Sequence, residues 1–319
     1  MSRIMGIAEE IIAGKRLGRE DDLSFLFDGD IDQLCSAANH IREELLGNRV
    51  NLCSIVNGKS GRCSEDCKYC AQSAHNHAQI EEYPFLSVDE LMESCCENAN
   101  AGVHRFSIVT AGRVLQGEEF KRELEAFRRM SRTYDIELCA SNGLLTKEQF
   151  EALKEAGVSM YHENIETSRR NFPNICTTHT LDEKIRCLKD AKEAGLQVCS
   201  GGIIGMGETW EDRVEMALLL REIGVDSIPI NVLMPIKGTP YEEMEPLTEE
   251  EIKRTFAIFR FLNPEAELRI AAGRILLKDS GRELFESGVN ATITGNMLTT
   301  SGNNIEEDQK MLKEMGLVV

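Results

Sequence analysis

Three cysteines lie close together in the segment Cys63-Ser-Glu-Asp-Cys67-Lys-Tyr-Cys70. Three thiolates at this spacing can bind three of the four irons of a cubane cluster, because such clusters are held mainly by cysteine. The fourth iron then has no protein ligand, and an open position of this kind is typical of a catalytic metal site rather than a structural one. The segment therefore predicts an oxygen-sensitive [4Fe–4S] cluster that carries out chemistry.

A zinc site is the alternative interpretation of the same cysteines, with His75 or His77 of the following AHNHA segment as a fourth ligand. Zinc would not explain the aromatic Tyr69 placed directly before the last cysteine. It would also leave the cysteines in predicted strands elsewhere without a role. We therefore favour the iron–sulfur interpretation.

Polar and thiol side chains interrupt several short runs that otherwise predict buried strands. The strand residues are Cys53, Arg105, Ser107, Cys139, Cys199 and Arg269, and Asn164, Glu166 and Asn231 stand at strand ends. A lone buried cysteine is usually a small hydrophobe, but a buried arginine must be paired or coordinate an anion. We take Arg105 and Arg269 as candidate catalytic residues. The set predicts a second metal–sulfur cluster in a cavity lined by Cys53, Cys139, Cys199 and Arg269.

Short apolar runs that alternate with amphipathic helical segments provide the framework for these residues. The predicted strands are Asn51–Asn57, Arg105–Val109, Glu137–Ser141, Ser159–Glu163, Gln197–Gly201, Ser227–Asn231, Leu268–Ala272 and Ala291–Thr294. Eight strands alternating with helices favour a complete (βα)8 TIM-type barrel of the α/β class with an N-terminal helical extension. A doubly wound open sheet is the alternative, although no phosphate-binding loop follows the first strand. We expect residues 1–46 to form helices that pack on a barrel of residues 47–319.

Composition limits the class of protein. A formal net charge of −18 argues against nucleic acid and against anionic membrane surfaces as partners. No run approaches the ~20 apolar residues of a membrane span, and the N-terminal segment has the helical pattern of a cytoplasmic protein rather than of an export signal. Eleven cysteines in such a protein indicate metal binding more than disulfides. We assign the cysteines in helical segments, Cys35, Cys95, Cys96 and Cys187, to the buried core.

The cysteine loop resembles the signature of the radical S-adenosylmethionine superfamily, CxxxCxxC with an aromatic before the third cysteine. This resemblance implies that S-adenosylmethionine chelates the open iron and is cleaved to a 5′-deoxyadenosyl radical, with Tyr69 near the adenine. A second segment, Gly201-Gly-Ile-Ile-Gly-Met-Gly-Glu208, is similar to the GxIxGxxE element of the superfamily. In that element Ile203 would contact the adenine.

A closer resemblance is to the biotin synthase family. It rests on NGKSGRCSEDCKYCAQS, YHENIETSRRNFPNI, VCSGGIIGMGET, SIPINVLMPIKGTP and LRIAAGR, which occur in the order of that family between about residues 35 and 317. The resemblance implies that dethiobiotin becomes biotin by insertion of sulfur from an auxiliary cluster, using deoxyadenosyl radicals. It also implies a homodimer and a flavodoxin or ferredoxin as electron donor.

The resemblance assigns roles to residues that match the family pattern. Asn164 and Glu166 lie where the family binds the ribose, with glutamate in place of the more usual aspartate. Lys184 falls where an arginine often meets the methionyl carboxylate, and Asn231 would contact dethiobiotin or adenosine. Cys176, in NICTTHT, follows the ribose-binding segment and lies either near the mouth of the site or at an incidental position.

The auxiliary cluster is where this chain departs from the family pattern. Cys139, Cys199 and Arg269 match three of the four ligands of the family's [2Fe–2S] cluster, but Ser107 replaces the fourth, a cysteine, and Cys53 appears on the first strand. One interpretation keeps a [2Fe–2S] cluster with Ser107 and Arg269 as ligands. We favour a [4Fe–4S] cluster on Cys53, Cys139 and Cys199 with one iron open, because thiolate is the preferred ligand.

Two other functions compete with this one. Another radical S-adenosylmethionine enzyme, such as a hydrogenase-cluster maturase or methylornithine synthase, would share the cysteine loop. It would not need Cys139, Cys199 and Arg269 together. A non-catalytic zinc or iron–sulfur protein would retain metal but release no deoxyadenosine.

Overall fold

The computed structural model describes residues 2–295 and 304–319, and its core is a ring of parallel strands. The strands are β1 (Asn51–Lys59), β2 (Arg105–Thr110), β3 (Glu137–Ser141), β4 (Met160–His162), β5 (Gln197–Cys199), β6 (Gly202–Ile204), β7 (Ser227–Val232), β8 (Glu267–Ile270) and β9 (Ala291–Ile293). Neighbours pair in parallel from β1 to β5, β5 pairs with β7 through Cys199 and Ser227, and β9 returns to β1. The sheet is therefore closed.

Nine named strands fill eight barrel positions, because β5 and β6 are two parts of one interrupted strand. The interruption falls at Ser200 and Gly201, and a Cβ on Gly201 would lie 1.8 Å from the carbonyl oxygen of Pro229 on β7. Only glycine allows the two backbones to approach this closely. The predicted (βα)8 barrel is confirmed, and the predicted strand through Gly201 instead ends at Cys199.

The helices surround the barrel and begin where the sequence offers capping residues. They are α1 (Arg3–Ile12), α2 (Phe25–Asp28), α3 (Ile31–Leu46), α4 (Val88–Asn100), α5 (Gly117–Thr133), α6 (Lys147–Glu155), α7 (Phe172–Ile175), α8 (Leu181–Glu193), α9 (Trp210–Ile223), α10 (Glu249–Leu262), α11 (Arg282–Phe285) and α12 (Ile305–Glu314), with a 3-10 turn at Arg274–Leu276. Ser87, Thr146, Thr180, Thr209 and Thr248 each form a capping box with the N3 residue of the helix that follows. These caps fix where the loop after a strand ends and the next helix begins.

The N-terminal helices pack on one side of this framework: α3 lies against α10, and α1 lies against α3. The division of the chain into residues 1–46 and 47–319 stays a prediction. At the other end of the chain, the buried carboxylate of Asp308 on α12 pairs with Arg274 at 2.8 and 2.9 Å. None of the helices within the described residues has both the length and the apolar character that a membrane crossing requires.

Candidate active site

A cavity of about 400 Å³ opens at the C-terminal ends of the strands, which is the face where barrel enzymes carry their active sites. We call this opening the mouth. The residues assigned to the two predicted clusters and to the cofactor all line the cavity: Cys53, Cys63, Cys67, Tyr69, Cys70, Arg105, Ser107, Cys139, Asn164, Glu166, Lys184, Cys199, Ile203, Asn231 and Arg269. The fold therefore brings together residues that are up to 216 positions apart in the chain, from Cys53 to Arg269.

The loop after β1 that carries Cys63, Cys67 and Cys70, here called the outer loop, is held in shape by its own backbone contacts. The side-chain amide of Asn76 donates to the carbonyls of Cys67 and Cys70 at 3.1 and 2.8 Å, and the N–H of Ala74 donates to the carbonyl of Cys63 at 2.8 Å. Burial raises the pKa of Cys70 to about 11, so this thiol is protonated until a metal displaces the proton. The loop thus carries three soft ligands on a backbone that hydrogen bonds hold in place.

The alternative zinc site with His75 or His77 is not formed. The ring of His75 instead contacts the carbonyl of Ser64, with Nε2 at 3.0 Å. In the described part of the chain, the only three His, Cys, Asp or Glu ligand atoms that lie within 4.8 Å of one another belong to Cys67, Cys176 and His179. Neither predicted histidine therefore joins the loop cysteines.

Below the outer loop, one level of the barrel interior contains three cysteines and an arginine. The register pairs Cys53 with Arg105 and Arg105 with Glu137, and Cys139 lies two residues beyond Glu137 toward the mouth. Each further step around the barrel crosses one intervening strand and moves two residues along it toward the mouth. Such steps lead from Cys139 to Cys199, from Cys199 to Arg269, and from Arg269 back to Cys53. Because layers in such barrels are built from alternate strands, these four side chains form one layer, which we call the inner ring.

The thiols of the inner ring are all removed from water. Cys139 and Cys199 pack together with Met160, and burial raises the pKa of Cys139 to about 12. Burial also raises the pKa of Cys53 and of Cys199, although both lie near Arg105 and Arg269. Iron binding displaces the protons of such neutral thiols, and the neighbouring arginines then offset the negative charge of the thiolates.

The two arginines of the cavity differ in how many of their donors are used. Arg269 donates to Ser227, Asn51, Thr292 and Glu267, so Nε, Nη1 and Nη2 are all engaged. Arg105 pairs through its terminal nitrogens with Glu137 and Glu267, but its buried Nε has no partner. A buried donor without a partner lowers the stability of the fold, so Arg105 is the arginine with a free donor for an anion.

Ser107 belongs to the next layer toward the mouth, and so does His162. Ser107 pairs with Cys139 and Cys139 with Met160, and His162 lies two residues beyond Met160 toward the mouth. The Nδ1 atom of His162 lies 3.3 Å from Cys199 Sγ. Burial lowers the pKa of His162 to about 4, so the ring is neutral at physiological pH. The sequence prediction missed this residue, although its alternation with Met160 on β4 signals an inward side chain.

Near the mouth, Glu166 has an unusual backbone that brings its side chain into the cavity. Its φ is +68°, and its carbonyl accepts the N–H of Ile203 at 2.9 Å. A Cβ on Gly202 would lie 2.2 Å from that carbonyl oxygen, so the glycine permits this approach. Glu166 Oε2 is buried without a partner and can accept a hydrogen bond.

Lys184 is buried beside two carboxylates. Its Nζ forms an ion pair with Glu163, a residue that the sequence prediction missed. Burial opposes the charged form, but the carboxylates of Glu163 and Glu166 outweigh burial and raise the pKa of Lys184. Lys184 is therefore a cation at the cavity wall, as a partner for a carboxylate must be.

Two asparagines hold the interrupted strand in place. Asn164 Oδ1 accepts the N–H of Gly201 at 3.0 Å, and Asn231 joins two strands by donating to the carbonyl of Gly202 at 3.3 Å and accepting from Ala272 at 3.1 Å. Both residues thus position Ile203 at the cavity wall. Cys176, which the sequence left as near the mouth or incidental, lies beside the outer loop with its sulfur 3.8 Å from Cys67 Sγ.

Comparison with protein families matches two regions of the chain. Residues 59–220 match the radical SAM superfamily, and residues 229–318 match the Biotin and Thiamin Synthesis associated domain. The first region contains the outer loop and the second contains Arg269.

Curated relatives match almost the whole chain. A biotin synthase from Alkaliphilus metalliredigens (strain QYMF) is 61% identical over 313 residues, which covers 98% of each chain. A biotin synthase from Clostridium beijerinckii is 56% identical over 313 residues, which covers 98% of this chain and 99% of the relative.

Solved structures share the architecture at low sequence identity. Methylornithine synthase superposes with a TM-score of 0.84 at 19% identity, covering 98% of this chain and 96% of that one. A maturase of the [FeFe]-hydrogenase superposes with a TM-score of 0.81 at 18% identity, covering 98% and 74%. These likenesses show the fold alone.

Proposed function

Since this chain belongs to the biotin synthase family of the radical S-adenosylmethionine superfamily, we propose that the outer loop and the inner ring hold two clusters that serve one reaction. The reaction is the insertion of sulfur into dethiobiotin to give biotin, with radicals derived from S-adenosylmethionine. The observation that carries the assignment is the inner ring, which lies below the outer loop in one cavity.

The residues of both sites fit the groups that the family requires. When bound, the outer [4Fe–4S] cluster supplies the electron that cleaves S-adenosylmethionine to a 5′-deoxyadenosyl radical, and the inner cluster supplies the sulfur. Cys63, Cys67 and Cys70 provide three thiolates and leave an open position at the cluster, which suits a chelating ligand. The buried Nε of Arg105 and the buried Oε2 of Glu166 both lack a partner in a cavity of this size, as expected of a site shaped for ligands.

The wall near the mouth provides the contacts for S-adenosylmethionine. Lys184, held as a cation between carboxylates, pairs with the methionyl carboxylate. Glu166 Oε2 accepts a hydrogen bond from the ribose, with Asn164 beside it. Ile203 and Tyr69 lie against the adenine, and Asn231 contacts the adenosine or dethiobiotin. These contacts exclude water and orient the cofactor at the outer loop.

For the inner site we propose a [4Fe–4S] cluster on Cys53, Cys139 and Cys199. The three thiols lie in one barrel layer, whereas Ser107 lies in the next layer toward the mouth. Thiolate is also the preferred ligand of iron in such clusters, so the position of Cys53 favours it over Ser107. A [2Fe–2S] cluster with Ser107 and Arg269 as ligands is the alternative. It is less favoured because the donors of Arg269 are all engaged in hydrogen bonds.

Arg105 and Arg269 complete the inner site. Their guanidinium groups offset the charge of thiolates in a buried position, and the unpartnered Nε of Arg105 donates to an anion there. We also propose, on the family resemblance, a flavodoxin or ferredoxin as electron donor, a homodimer, a cytoplasmic location, and no nucleic-acid or membrane partner.

An anaerobic assay with dethiobiotin, S-adenosylmethionine and a low-potential reductant tests the proposed division of roles. We expect biotin and 5′-deoxyadenosine from the wild type and from the control Cys187→Ala, which removes a buried thiol on α8. Cys63→Ala should abolish both products. Cys139→Ala should still yield deoxyadenosine but no biotin, because only sulfur delivery is lost. Biotin formation by Cys139→Ala at the wild-type rate would contradict the inner site.

A further inference from the structure

Beside the outer loop, Cys176 and His179, which have no part in the proposed reaction, form a group with Cys67. Cys176 Sγ lies 3.8 Å from Cys67 Sγ, 3.4 Å from His179 Nδ1 and 3.7 Å from His179 Nε2. Cys176 and His179 are buried, with 3% and 8% of their surface exposed. With the half-buried thiol of Cys67, they form a donor set of two sulfurs and an imidazole for a borderline-soft cation.

The distances among these atoms match tetrahedral zinc. With ordinary zinc–sulfur and zinc–nitrogen bond lengths, two ligand sulfurs of a tetrahedral site lie about 3.8 Å apart, and a sulfur and a nitrogen lie about 3.5 Å apart. The separation of 3.8 Å between Cys67 Sγ and Cys176 Sγ equals the first value, and the 3.7 Å from Cys176 Sγ to His179 Nε2 is close to the second. The three ligand atoms all lie within 4.8 Å of one another.

The surroundings of His179 also have the form of a metal site. Glu65 Oε2 lies 2.6 Å from His179 Nδ1 and is itself held by Arg113 at 3.1 Å and by Thr178 at 2.9 Å. A carboxylate on one ring nitrogen fixes the tautomer and leaves the other nitrogen as the ligand, which is the usual arrangement around metal-binding histidines.

We propose that Cys67, Cys176 and His179 form a binding site for a zinc-like divalent cation, with Glu65 as the residue that orients His179. Both sulfurs bind as thiolates, and a water molecule completes the coordination. Cys67 serves either this site or the outer cluster, so the divalent cation and the cluster exclude each other. The site is thus an inhibitory metal site that acts on cluster assembly.

Cobalt(II) provides a spectroscopic probe of this site in the full chain. In a background with Cys63, Cys70, Cys139 and Cys199 changed to alanine, the other candidate cluster ligands are reduced to single thiols. Under anaerobic conditions we expect one Co²⁺ per chain, with thiolate charge-transfer and tetrahedral ligand-field bands. Adding Cys176→Ala or His179→Gln should weaken binding at least tenfold, and adding Cys187→Ala should leave it unchanged. Equal Co²⁺ affinity and spectra for Cys176→Ala and Cys187→Ala would overturn the proposal.

A second measurement avoids the multiple substitutions. The otherwise wild-type chain, freed of iron by chelation, receives one equivalent of Zn²⁺ and then iron and sulfide. After reduction, the outer cluster is counted by the part of the electron paramagnetic resonance signal that changes when S-adenosylmethionine is added, which separates it from the inner cluster. We expect Zn²⁺ to suppress the signal severalfold in the wild type and in Cys187→Ala, but not in Cys176→Ala. Equal suppression in Cys176→Ala would mean that the loop cysteines bind zinc by themselves, which overturns the proposed site without affecting the assigned reaction.

Discussion

At the scale of single residues, Cys53 and Ser107 lie on neighbouring strands but at different depths of the barrel. The register places Cys53 beside Arg105 and Ile55 beside Ser107, so Ser107 is in the layer nearer the mouth. The family resemblance predicted the exchange of a cysteine between these strands, because Ser107 stands where the family pattern has a cysteine. It could not predict the layer, since that depends on the offset accumulated around a closed barrel.

The ligands of the inner cluster can be separated from those of the outer cluster by substitution. In a chain with Cys63, Cys67 and Cys70 changed to alanine, we expect Mössbauer spectra of a [4Fe–4S] cluster after anaerobic reconstitution. Adding Cys53→Ala should remove most of that iron, because thiolate ligation is lost, while the matched control Ser107→Ala should retain it. A stable [2Fe–2S] doublet that is insensitive to Cys53→Ala would contradict the assignment.

At the scale of elements, the outer loop and the eight barrel positions were predictable because their signals are local. Cysteine spacing and alternation of apolar residues are both read within ten residues. His162 and His179 were missed because their roles depend on contacts with Cys199 and Cys176 that only the fold creates. Helix α5 shows the same limit: its periodicity places Glu123 on the apolar face with Phe120 and Phe127, but the hydrogen bond from Asn142 that meets it there depends on the fold.

Glu123 gives the protein a pH-dependent stability. Burial raises the pKa of Glu123 to about 8, against a hydrogen bond from Asn142 at 2.8 Å. The unfolded chain ionises this group near pH 4.5 while the folded chain keeps it protonated, so stability falls as the pH rises from about 4.5 to about 8. We expect Glu123→Gln to reduce that fall by about 2 kcal/mol or more in urea unfolding at pH 5 and pH 8. The exposed neighbour variant Glu125→Gln should follow the wild type; parallel curves for all three chains would refute the assignment.

At the scale of the whole molecule, the C-terminal helix is joined to the barrel by a buried ion pair. Arg274 and Asp308 are 4% and 1% exposed, and Arg274 also donates to Thr292 on β9 at 3.2 Å. The amphipathic pattern of α12 was readable in the sequence. Its partner in the 3-10 turn was not, because the pair joins residues 34 positions apart in the chain and only the fold brings them together.

Removing one member of this pair should destabilise the whole fold. Asp308→Ala leaves the guanidinium of Arg274 buried without its counter-charge, which costs ~3–5 kcal/mol in comparable cases. Urea unfolding should therefore show a lower midpoint for Asp308→Ala than for the exposed control Glu307→Ala. Coincident midpoints for the two variants would show that the ion pair contributes nothing net.

The inner ring lies deeper in the barrel than the outer loop, and a cleft on the opposite face ends at Arg105 and Met160. Glu137 and Glu267 hold the guanidinium of Arg105 in place there, so access to the inner ring is through the mouth. In the proposed reaction, cofactor and substrate bound at the mouth would keep iron and sulfide from entering the ring, and sulfur would leave the ring only as part of the product. On this proposal the deep position would be loaded before cofactor and substrate bind, and it would be refilled only after the products have left.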